Sequence, residues 1–350
     1  MDALSAALTT VRMTGAIFYD AICTAPWGFK VPAVNEVAHF LAPGTERLVP
    51  YHLVAEGVAT VRFHGKPEVR LEAGDVVINP HGDPHTVSNG APASFADAGA
   101  SLGQHLAGEL STMRVGGGGE ATRFICGYFG CERHADRLFL AGLPTMIKLN
   151  MRGDSTGAWI ENSIRHLLAE AGSARPGRAV LLSKMAEALF IETLRRYMEQ
   201  LPPGETGWLA AARDPVVGGA LALLHGDPAR PWTVDELAAK VGASRSVVAE
   251  RFARLLGQPP MAYLAHCRLQ LAARLLQTTP KTMVQTALEV GYESEAAFNR
   301  AFKREFGLPP AQYRRRLAGP DADGRGRATG DTPLHENPRA RARASVRARP

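Results

Sequence analysis

Two segments of this sequence, about fifty residues apart, place charged and amide side chains on one face of a predicted helix. The first face carries Arg245, Glu250, Arg251 and Arg254, and the second carries Glu295, Asn299, Arg300, Lys303 and Arg304. Cationic side chains neutralise phosphate groups, and a carboxylate can accept a hydrogen bond from the amino group of cytosine. These residue types indicate contacts with a nucleic acid, provided that both helices are held in position.

An internal repeat supplies those helices. Residues 233–263 and 282–313 share one pattern of Thr, Ala, Val-Gly, Ser, Phe, Gly, Pro-Pro and Tyr, which predicts a helix, a short turn and a second helix in each copy. The predicted N-caps are Thr233, Ser244, Thr282 and Ser294. Thr233 and Glu236 also have the spacing of a capping box. The apolar positions of the second helices recur at i, i+4 and i+8, which predicts that they face a core. They are Val248, Phe252 and Leu256 in one copy and Phe298, Phe302 and Phe306 in the other.

The second copy resembles the signature of the AraC-type transcription regulators, from Gly291-Tyr292-Glu293-Ser294 through Phe298 and again from Phe306-Gly307 to Tyr313. The resemblance covers roughly residues 213–316. It implies two helix-turn-helix units, joined by a long helix from Pro260 to Gln277, that read double-stranded promoter DNA in major-groove segments about one turn apart. It also implies RNA polymerase as a partner.

Alignment with this signature implies which positions face the bases. They are Ser246, Ala249 and Glu250 in the first unit, and Glu295, Ala296, Asn299 and Arg300 in the second. Further DNA contacts, mainly to phosphates, are expected from Arg245, Arg251, Arg254, Lys303 and Arg304. Because Ala249 has no hydrogen-bonding group, we expect the second unit to supply more of the base discrimination.

The positive charge is concentrated in the repeat. The 350 residues have a net charge of +6, with a net +6 in residues 207–316, +3 in residues 317–350 and −3 in residues 1–206. This distribution suits phosphate binding. We expect the Arg-rich segment 317–350 to be a disordered basic tail. A constitutive architectural DNA-binding protein is an alternative to a regulator that responds to an effector.

The first 150 residues contain short alternating strands separated by Gly/Pro turns, which predicts a sandwich or barrel. The pattern Gly74-x5-Pro80-x-Gly82-x2-His85-x3-Asn89 resembles the second signature of the cupin fold, and implies a cupin-like β-barrel. The predicted fold class is therefore α+β and multidomain. Its parts are a cupin-like sensor domain (1–150), a helical linker or dimerisation segment (151–206), an all-α double helix-turn-helix domain (207–316) and the tail (317–350).

Catalytic cupins hold a metal ion with two closely spaced histidines, a glutamate and a further histidine, and this sequence departs from that set. Where Glu56 marks the end of the usual strand, the histidine pair would fall at residues 43–45, which are Pro, Gly and Thr. Since a divalent metal needs three or four ligands, we expect no metal, no cofactor and no catalysis. The expected effector pocket lies near His52, His81 and His85. Two alternatives stay open: these histidines are only structural, or the chain is a cupin isomerase or dioxygenase fused to a DNA-binding domain.

Cys23 and Cys126 match the positions of cysteines in the cupin-bearing AraC-type regulators that answer hypochlorite. This resemblance implies a redox sensor, whereas two buried, inert cysteines are the alternative. A sensing role predicts an accessible thiolate that forms a disulfide or a sulfenic acid. Cys126 and Cys131 would bridge only if residues 127–130 turned back on themselves.

Residues 157–200 carry two amphipathic stripes, which predict an antiparallel helix pair. Because dimerisation is common in the family, we expect a homodimer formed through these helices, with intramolecular packing as the alternative. The expected boundary to the DNA-binding half is Pro202-Pro203-Gly204. The sequence has no apolar run long enough to span a membrane, no evident signal peptide and only four cysteines, so a cytoplasmic protein is expected.

Overall fold

The computed structural model describes residues 1–10, 13–34, 47–98, 113–131, 140–152 and 175–317, with a few single positions between them. Most of the first predicted stripe of the helix pair, residues 43–45 and the tail from residue 318 lie outside the described residues.

In the described part of the N-terminal half, a short helix is followed by strands arranged in two sheets. Helix α1 spans Ala3–Thr10, and the strands are β1 Met13–Thr24, β2 Trp27–Val31, β3 Arg47–Glu56, β4 Val58–Phe63, β5 Val69–Glu72, β6 Asp75–Ile78, β7 His85–Asn89, β8 Ala96–Asp97, β9 Met113–Gly116, β10 Ala121–Cys131 and β11 Ile147–Asn150. A 3-10 helix at Leu140–Gly142 precedes β11. The first sheet has the order β11-β6-β3-β10-β1-β9, and the second has the order β5-β4-β7-β2-β8.

The predicted α+β class is confirmed, but the described strands do not close into a barrel. In the part of the chain that the structure describes, both sheets are open, and they enclose an apolar interior to which each contributes. Buried residues of this interior include Cys23, Val54, Phe124 and Cys126 from the first sheet and Trp27, Val61, Phe63 and Val87 from the second. The alternating pattern of the sequence fixes which side chains point inward, but not whether the sheet edges meet.

The chain crosses from the first sheet to the second at Gly57, between β3 and β4. The φ angle of Gly57 is +78°, a conformation that glycine adopts at little cost. A Cβ atom at this position would lie 2.3 Å from the carbonyl oxygen of Ala121, so the crossing needs a residue without a side chain. The hydroxyl of Thr122 donates a hydrogen bond to the carbonyl of Val58 (2.7 Å) and ties the crossing to β10.

Helices make up the described part of the chain from residue 175 onward. They are α2 Arg178–Gln200, α3 Trp208–Arg213, α4 Pro215–Gly226, α5 Val234–Lys240, α6 Arg245–Leu256, α7 Pro260–Thr278, α8 Met283–Glu289, α9 Glu295–Phe306 and α10 Pro310–Leu317. Helix α2 confirms the second amphipathic stripe. Helix α7 confirms the predicted connecting helix to within one residue, and its 19 residues are roughly 28 Å long.

The first helix-turn-helix unit (α5 and α6) shares one apolar core with the outer face of the first sheet, α1 and α2. Trp208 of α3 packs over Gly142 of the sheet domain, and the backbone N–H of Gly207 donates to the carbonyl of Leu255 in α6 (2.8 Å). The second unit (α8 and α9) packs around a separate core with α7 and α10. The connection between the cupin domain and DNA-binding half is therefore made through the first unit.

Candidate DNA interface and buried thiol–imidazole cluster

Side-chain caps fix the start of each helix in the two units. The four predicted N-caps are confirmed: each hydroxyl accepts a hydrogen bond from the backbone N–H three residues further on. The expected capping box at Thr233 is incomplete, because the carboxylate of Glu236 pairs with Arg230 instead. A full capping box forms in the second unit, where Thr282 and Gln285 exchange hydrogen bonds of 2.9 and 3.2 Å.

The two stripes predicted to face the core are confirmed. Val248, Phe252, Phe298 and Phe302 are fully buried, and Leu256 and Phe306 are half-buried. The opposite faces of α6 and α9 point outward. Their exposed members are Arg245, Ser246, Glu250, Arg254, Ala296, Arg300, Lys303 and Arg304, and the half-buried ones are Ala249, Arg251, Glu295 and Asn299.

Each outward face carries three cations and one carboxylate, but the two faces place these charges at different positions of the repeat. Glu250 of the first unit corresponds to Arg300 of the second, and Ala253 corresponds to Lys303. Arg300, Lys303 and Arg304 are exposed and form no ion pair with any residue in the described parts of the chain. The three cations of the α9 face are therefore free of ion pairs with described residues, whereas two of the three on the α6 face are paired.

Two arginines of the first unit are engaged within the protein. Arg251 forms an ion pair with Asp214 (3.0 Å), whose other carboxylate oxygen caps α4 by accepting from Val216 and Val217. Arg245 pairs with Asp235 of α5 (3.1 Å), although both side chains are exposed. Arg251 thus joins α6 to the start of α4. Its partner Asp214 lies 37 residues away in the sequence, so no local pattern predicts the contact.

Inside the cupin domain, four groups form a chain of short contacts. The Nδ1 atom of His85 lies 2.9 Å from the carbonyl oxygen of Asp83, the Nε2 atoms of His85 and His52 are 2.8 Å apart, and the Nδ1 atom of His52 lies 3.0 Å from the sulfur of Cys126. His52, His85 and Cys126 are all buried. Strands β3, β7 and β10 supply them, so the chain links the two sheets across the interior.

Burial favours the neutral forms of His52, His85 and Cys126. Desolvation, together with the proximity of His85, lowers the pKa of His52 to about 3. Desolvation also lowers the pKa of His85, opposed by the hydrogen bond to Asp83, and it raises the pKa of Cys126 well above its usual range. Cys23 is fully buried, with its pKa raised to about 12. The structure therefore gives neither thiol the accessible thiolate that the sequence led us to expect.

The strand register keeps Cys23 and Cys126 apart. Cys23 pairs with Thr122 and Cys126 pairs with Tyr19, so the two cysteines are four positions apart on neighbouring strands. This offset separates their Cα atoms by roughly 14 Å, whereas a disulfide needs about 7 Å or less. Strand β10 also runs without a turn to Cys131, so the reversal that a bridge from Cys126 to Cys131 requires does not form.

The third histidine of the expected pocket lies elsewhere. His81 contacts Arg47 (2.8 Å) and the carbonyl oxygen of Leu143 (3.0 Å), outside the chain that joins His52 and His85. The cluster of His85, His52 and Cys126 does not fit a metal ion, because both ring nitrogens of His52 contact other protein groups. Within the described residues, no three His, Cys, Asp or Glu side chains are grouped as a metal site.

Sequence reasoning placed His52 and His85 in one pocket, but it treated Cys126 separately and missed its contact with His52. His52 and Cys126 are 74 positions apart, and only the pairing of β3 with β10 brings them together. No signal in a single sequence reports that register. The repeat could have revealed that the two outward faces place their charges differently, since it aligns Ala253 with Lys303 directly.

Two open sheets with a cupin-like interior, followed by paired helix-turn-helix units, define a class of DNA-binding regulators with an attached N-terminal domain. Known families agree: a cupin family profile matches residues 2–199, and a helix-turn-helix domain profile matches residues 237–316. The chain belongs to the AraC-type transcriptional regulators that carry an N-terminal cupin domain, and it is a DNA-binding transcription regulator.

Three relatives illustrate the similarity. An AraC-like transcription regulator of Streptomyces lividans is 31% identical over 319 residues, which is 90% of this chain and 98% of the relative. The HTH-type transcriptional regulator AlkR of Acinetobacter baylyi is 30% identical over 90% of this chain and 99% of its own length. The RCS-specific HTH-type transcriptional activator RclR of Escherichia coli is 28% identical over 91% of this chain and 98% of its own length. These relatives are named as regulators rather than as enzymes. No described helix is long and apolar enough to cross a membrane.

Proposed function

We propose that this regulator recognises promoter DNA through α6 and α9, and that its cupin domain alters this recognition when it meets an effector, first of all hypochlorite or a related oxidant. The observation that carries the proposal is the pair of capped helices whose cores face inward and whose polar faces are exposed. In this proposal residues 1–150 sense, 151–206 link and dimerise, 207–316 bind DNA, and 317–350 form a basic tail.

The second unit makes most of the base-specific contacts in this account. Arg300 and Asn299 can bind guanine and adenine edges, with Glu295 and Ala296 beside them. In the first unit Ser246, Ala249 and Glu250 face the bases, and Glu250 accepts from a cytosine amino group. Phosphate contacts come from Arg245, Arg254, Lys303 and Arg304. Arg251, held by Asp214, mainly fixes α6 on α4 rather than serving a phosphate.

To test DNA recognition, the purified protein is first used to select the fragments of the source genome that it binds. Their affinity is then compared with that of random DNA of equal length at the same salt concentration. A regulator of this kind binds its site about a thousandfold or more tighter than random DNA. Equal affinity for both would instead favour the architectural alternative.

A contact with RNA polymerase is proposed for the outer surface of α8. Val284 and Leu288 are 48% and 59% exposed there, whereas the first unit has Asp235 and Ala239 at the equivalent positions. The fold therefore does not need large apolar residues at these places. Exchanging them for the first unit's residues (Val284→Asp, Leu288→Ala) should reduce activated transcription in a reconstituted system and leave the DNA footprint unchanged. Full activation by this variant would remove the assignment.

A homodimer contact is proposed for α2, which exposes Val180, Leu181 and Ile191. These residues lie on the one described helix of the expected dimerisation segment. Sedimentation of the full chain should give a dimer, and Val180→Glu should shift it towards a monomer. A wild-type chain that sediments only as a monomer would contradict this contact.

Oxidant sensing is proposed for the cupin domain because Cys126 belongs to a buried chain of titratable groups, and because one relative is named as RCS-specific. Cys126→Ser should keep basal DNA binding and lose the response to hypochlorite, whereas Cys131→Ser should matter less. Cys267→Ser, in α7, is the matched control. A hypochlorite response that survives the Cys23→Ser/Cys126→Ser double change would leave a small-molecule pocket near His52, His81 and His85 as the sensor.

A further inference from the structure

The positions of the hydrogens in the buried chain follow from its ends. The carbonyl oxygen of Asp83 can only accept, so His85 donates to it from Nδ1 at 2.9 Å; the amide of Asn79, at 3.5 Å from the same nitrogen, is too distant to compete. A neutral His85 then accepts at Nε2, so His52 donates from its own Nε2 at 2.8 Å. This leaves Nδ1 of His52 as an acceptor, 3.0 Å from the thiol of Cys126.

We infer that Cys126 is the reacting thiol of the sensor, that His52 accepts its proton during the reaction with a hypohalous acid, and that His85 is the positioning residue that fixes the required tautomer of His52. This inference rests on the proposed oxidant response, and it assigns to His52 and His85 a role in that response.

The need for a proton acceptor follows from burial. A thiolate is the better nucleophile, but desolvation raises the pKa of Cys126, so that very little thiolate exists beforehand. The proton must therefore leave as the sulfur attacks, and the only ring nitrogen shown in contact with the thiol is Nδ1 of His52. A charge formed on His52 is shared along the chain towards His85, where the carbonyl and carboxylate of Asp83 favour a proton.

The reaction with hypochlorous acid balances as follows. The sulfur attacks chlorine, the S–Cl bond forms, the Cl–O bond breaks, and the thiol proton moves to His52. The hydroxide that leaves takes one proton back from the imidazolium and departs as water. A second water then displaces chloride from sulfur, giving the sulfenic acid and a proton that His52 accepts and later releases to solvent.

Two further observations fit a single reacting thiol. Cys23 is too distant along the strands to complete a disulfide, so the sulfenic acid has no thiol partner there in this conformation. The buried indole N–H of Trp27, which lies in the same interior cluster, has no hydrogen-bond partner in the described structure. An unpaired donor of this kind suits an interior that takes up a polar atom.

The protein contains an internal control for the reactivity of Cys126. Cys267 is as buried as Cys126, at 7% exposure, but no histidine contact is shown for it. In the full-length protein, hypochlorite is added at limiting amounts, sulfenic acids are trapped with dimedone, and the two cysteine peptides are quantified by mass spectrometry. General-base assistance gives factors of about 100 or more, so Cys126 should react about 100-fold faster than Cys267.

Conservative variants separate proton transfer from packing. His52→Asn keeps an oxygen that accepts from the thiol but cannot take up its proton, and should lower the rate at Cys126 by about 100-fold. His85→Gln keeps an acceptor for the N–H of His52 and should retain most of the rate, whereas His85→Phe should lose it. Misfolding would be recognised because it speeds the reaction of Cys267 as well.

An unchanged rate at Cys126 in His52→Asn, or equal rates in His85→Gln and His85→Phe, would overturn the relay. If His52→Asn fails to fold, the two His85 variants still decide the question. A DNA footprint that ignores hypochlorite while Cys126 reacts rapidly would instead defeat the proposed oxidant response and leave the relay intact.

Discussion

Arg300 is the side chain on which the proposed base recognition depends most. It is exposed at the centre of the outward face of α9, and it forms no ion pair with a described residue. Arg300→Ala should cost about 1–3 kcal/mol of binding free energy at the specific site and relax the preference at one base. The matched control is Glu250→Ala at the equivalent position of the first unit, which should cost less. Equal losses on specific and random DNA would show that Arg300 contacts a phosphate instead.

Lys303 and Arg251 provide a second comparison between a free and an engaged cation. Lys303→Ala introduces the residue that the first unit already has at position 253, and it should make the negative slope of log K against log salt shallower by about 1. Arg251→Ala should leave the slope unchanged, because that guanidinium is paired with Asp214. Titrations over a range of salt concentrations measure both slopes. A shallower slope for Arg251→Ala would instead support the phosphate contact that the sequence predicts for Arg251.

The sequence predicted the individual side chains better than their partners. Residue type and helical period placed Arg300 and Lys303 outward, because both signals are local. The engagement of Arg251 by Asp214 depends on how α6 packs on α4, which neither helix encodes alone. The contact of His52 with Cys126 likewise depends on strand pairing between distant segments. The sequence therefore predicted which side chains could do chemistry, whereas their protonation states and contact partners could be found only from the fold.

Among the secondary structure elements, the crossing from β3 to β4 is the most sensitive to substitution. Gly57→Ala should destabilise the protein by more than the roughly 1 kcal/mol that a left-handed alanine costs, because its Cβ would also collide with the Ala121 carbonyl. Gly65→Ala is the matched control, since Gly65 has a φ of +68° but open space around its Cβ position. Denaturant unfolding of both variants measures the difference. Equal destabilisation would mean that the close approach to β10 is not limiting.

Helices were predicted well because caps, turns and apolar periods lie close together in the sequence. The ends of α7 and the caps at Ser244 and Ser294 follow from such signals. The barrel was predicted less well, because closure depends on which edges of the two sheets meet. The short strand β4 was recognisable by alternation, but the assignment of β4 and β6 to different sheets was not.

The pH dependence of stability should report buried histidines in both halves of the molecule. Burial lowers the pKa of His225 to about 4 and that of His52 to about 3, whereas an unfolded histidine titrates near 6.5. Between these values the unfolded chain binds protons that the folded chain does not, so the free energy of unfolding falls as pH decreases from about 6.5 towards 4. Each histidine should contribute on the order of a few kcal/mol.

Urea unfolding at pH 7 and pH 4.5 tests this expectation. His225→Gln should make the fall shallower, because glutamine can still accept from the hydroxyl of Tyr263 but does not titrate. His64→Gln, an exposed position, should leave the fall unchanged. A pH dependence that is the same in wild type and His225→Gln would contradict the assignment.

In the proposed mechanism, the shared apolar core is the route by which a change in the cupin domain reaches the DNA-binding half. The first helix-turn-helix unit packs in one apolar core with the outer face of the first sheet, and that sheet carries Cys126 on its inner face. The second unit has a core of its own. We propose that oxidation alters the packing of the sheet against the first unit, and so the spacing of the two units on DNA.

Hydroxyl-radical footprinting of the operator, with and without hypochlorite, tests this account most directly. The account predicts protection of two major-groove segments about one turn apart on one face of the DNA for each subunit, and a change in that pattern on oxidation that Cys126→Ser abolishes. A single protected segment per subunit, or a pattern that hypochlorite leaves unchanged in the wild type, would contradict it.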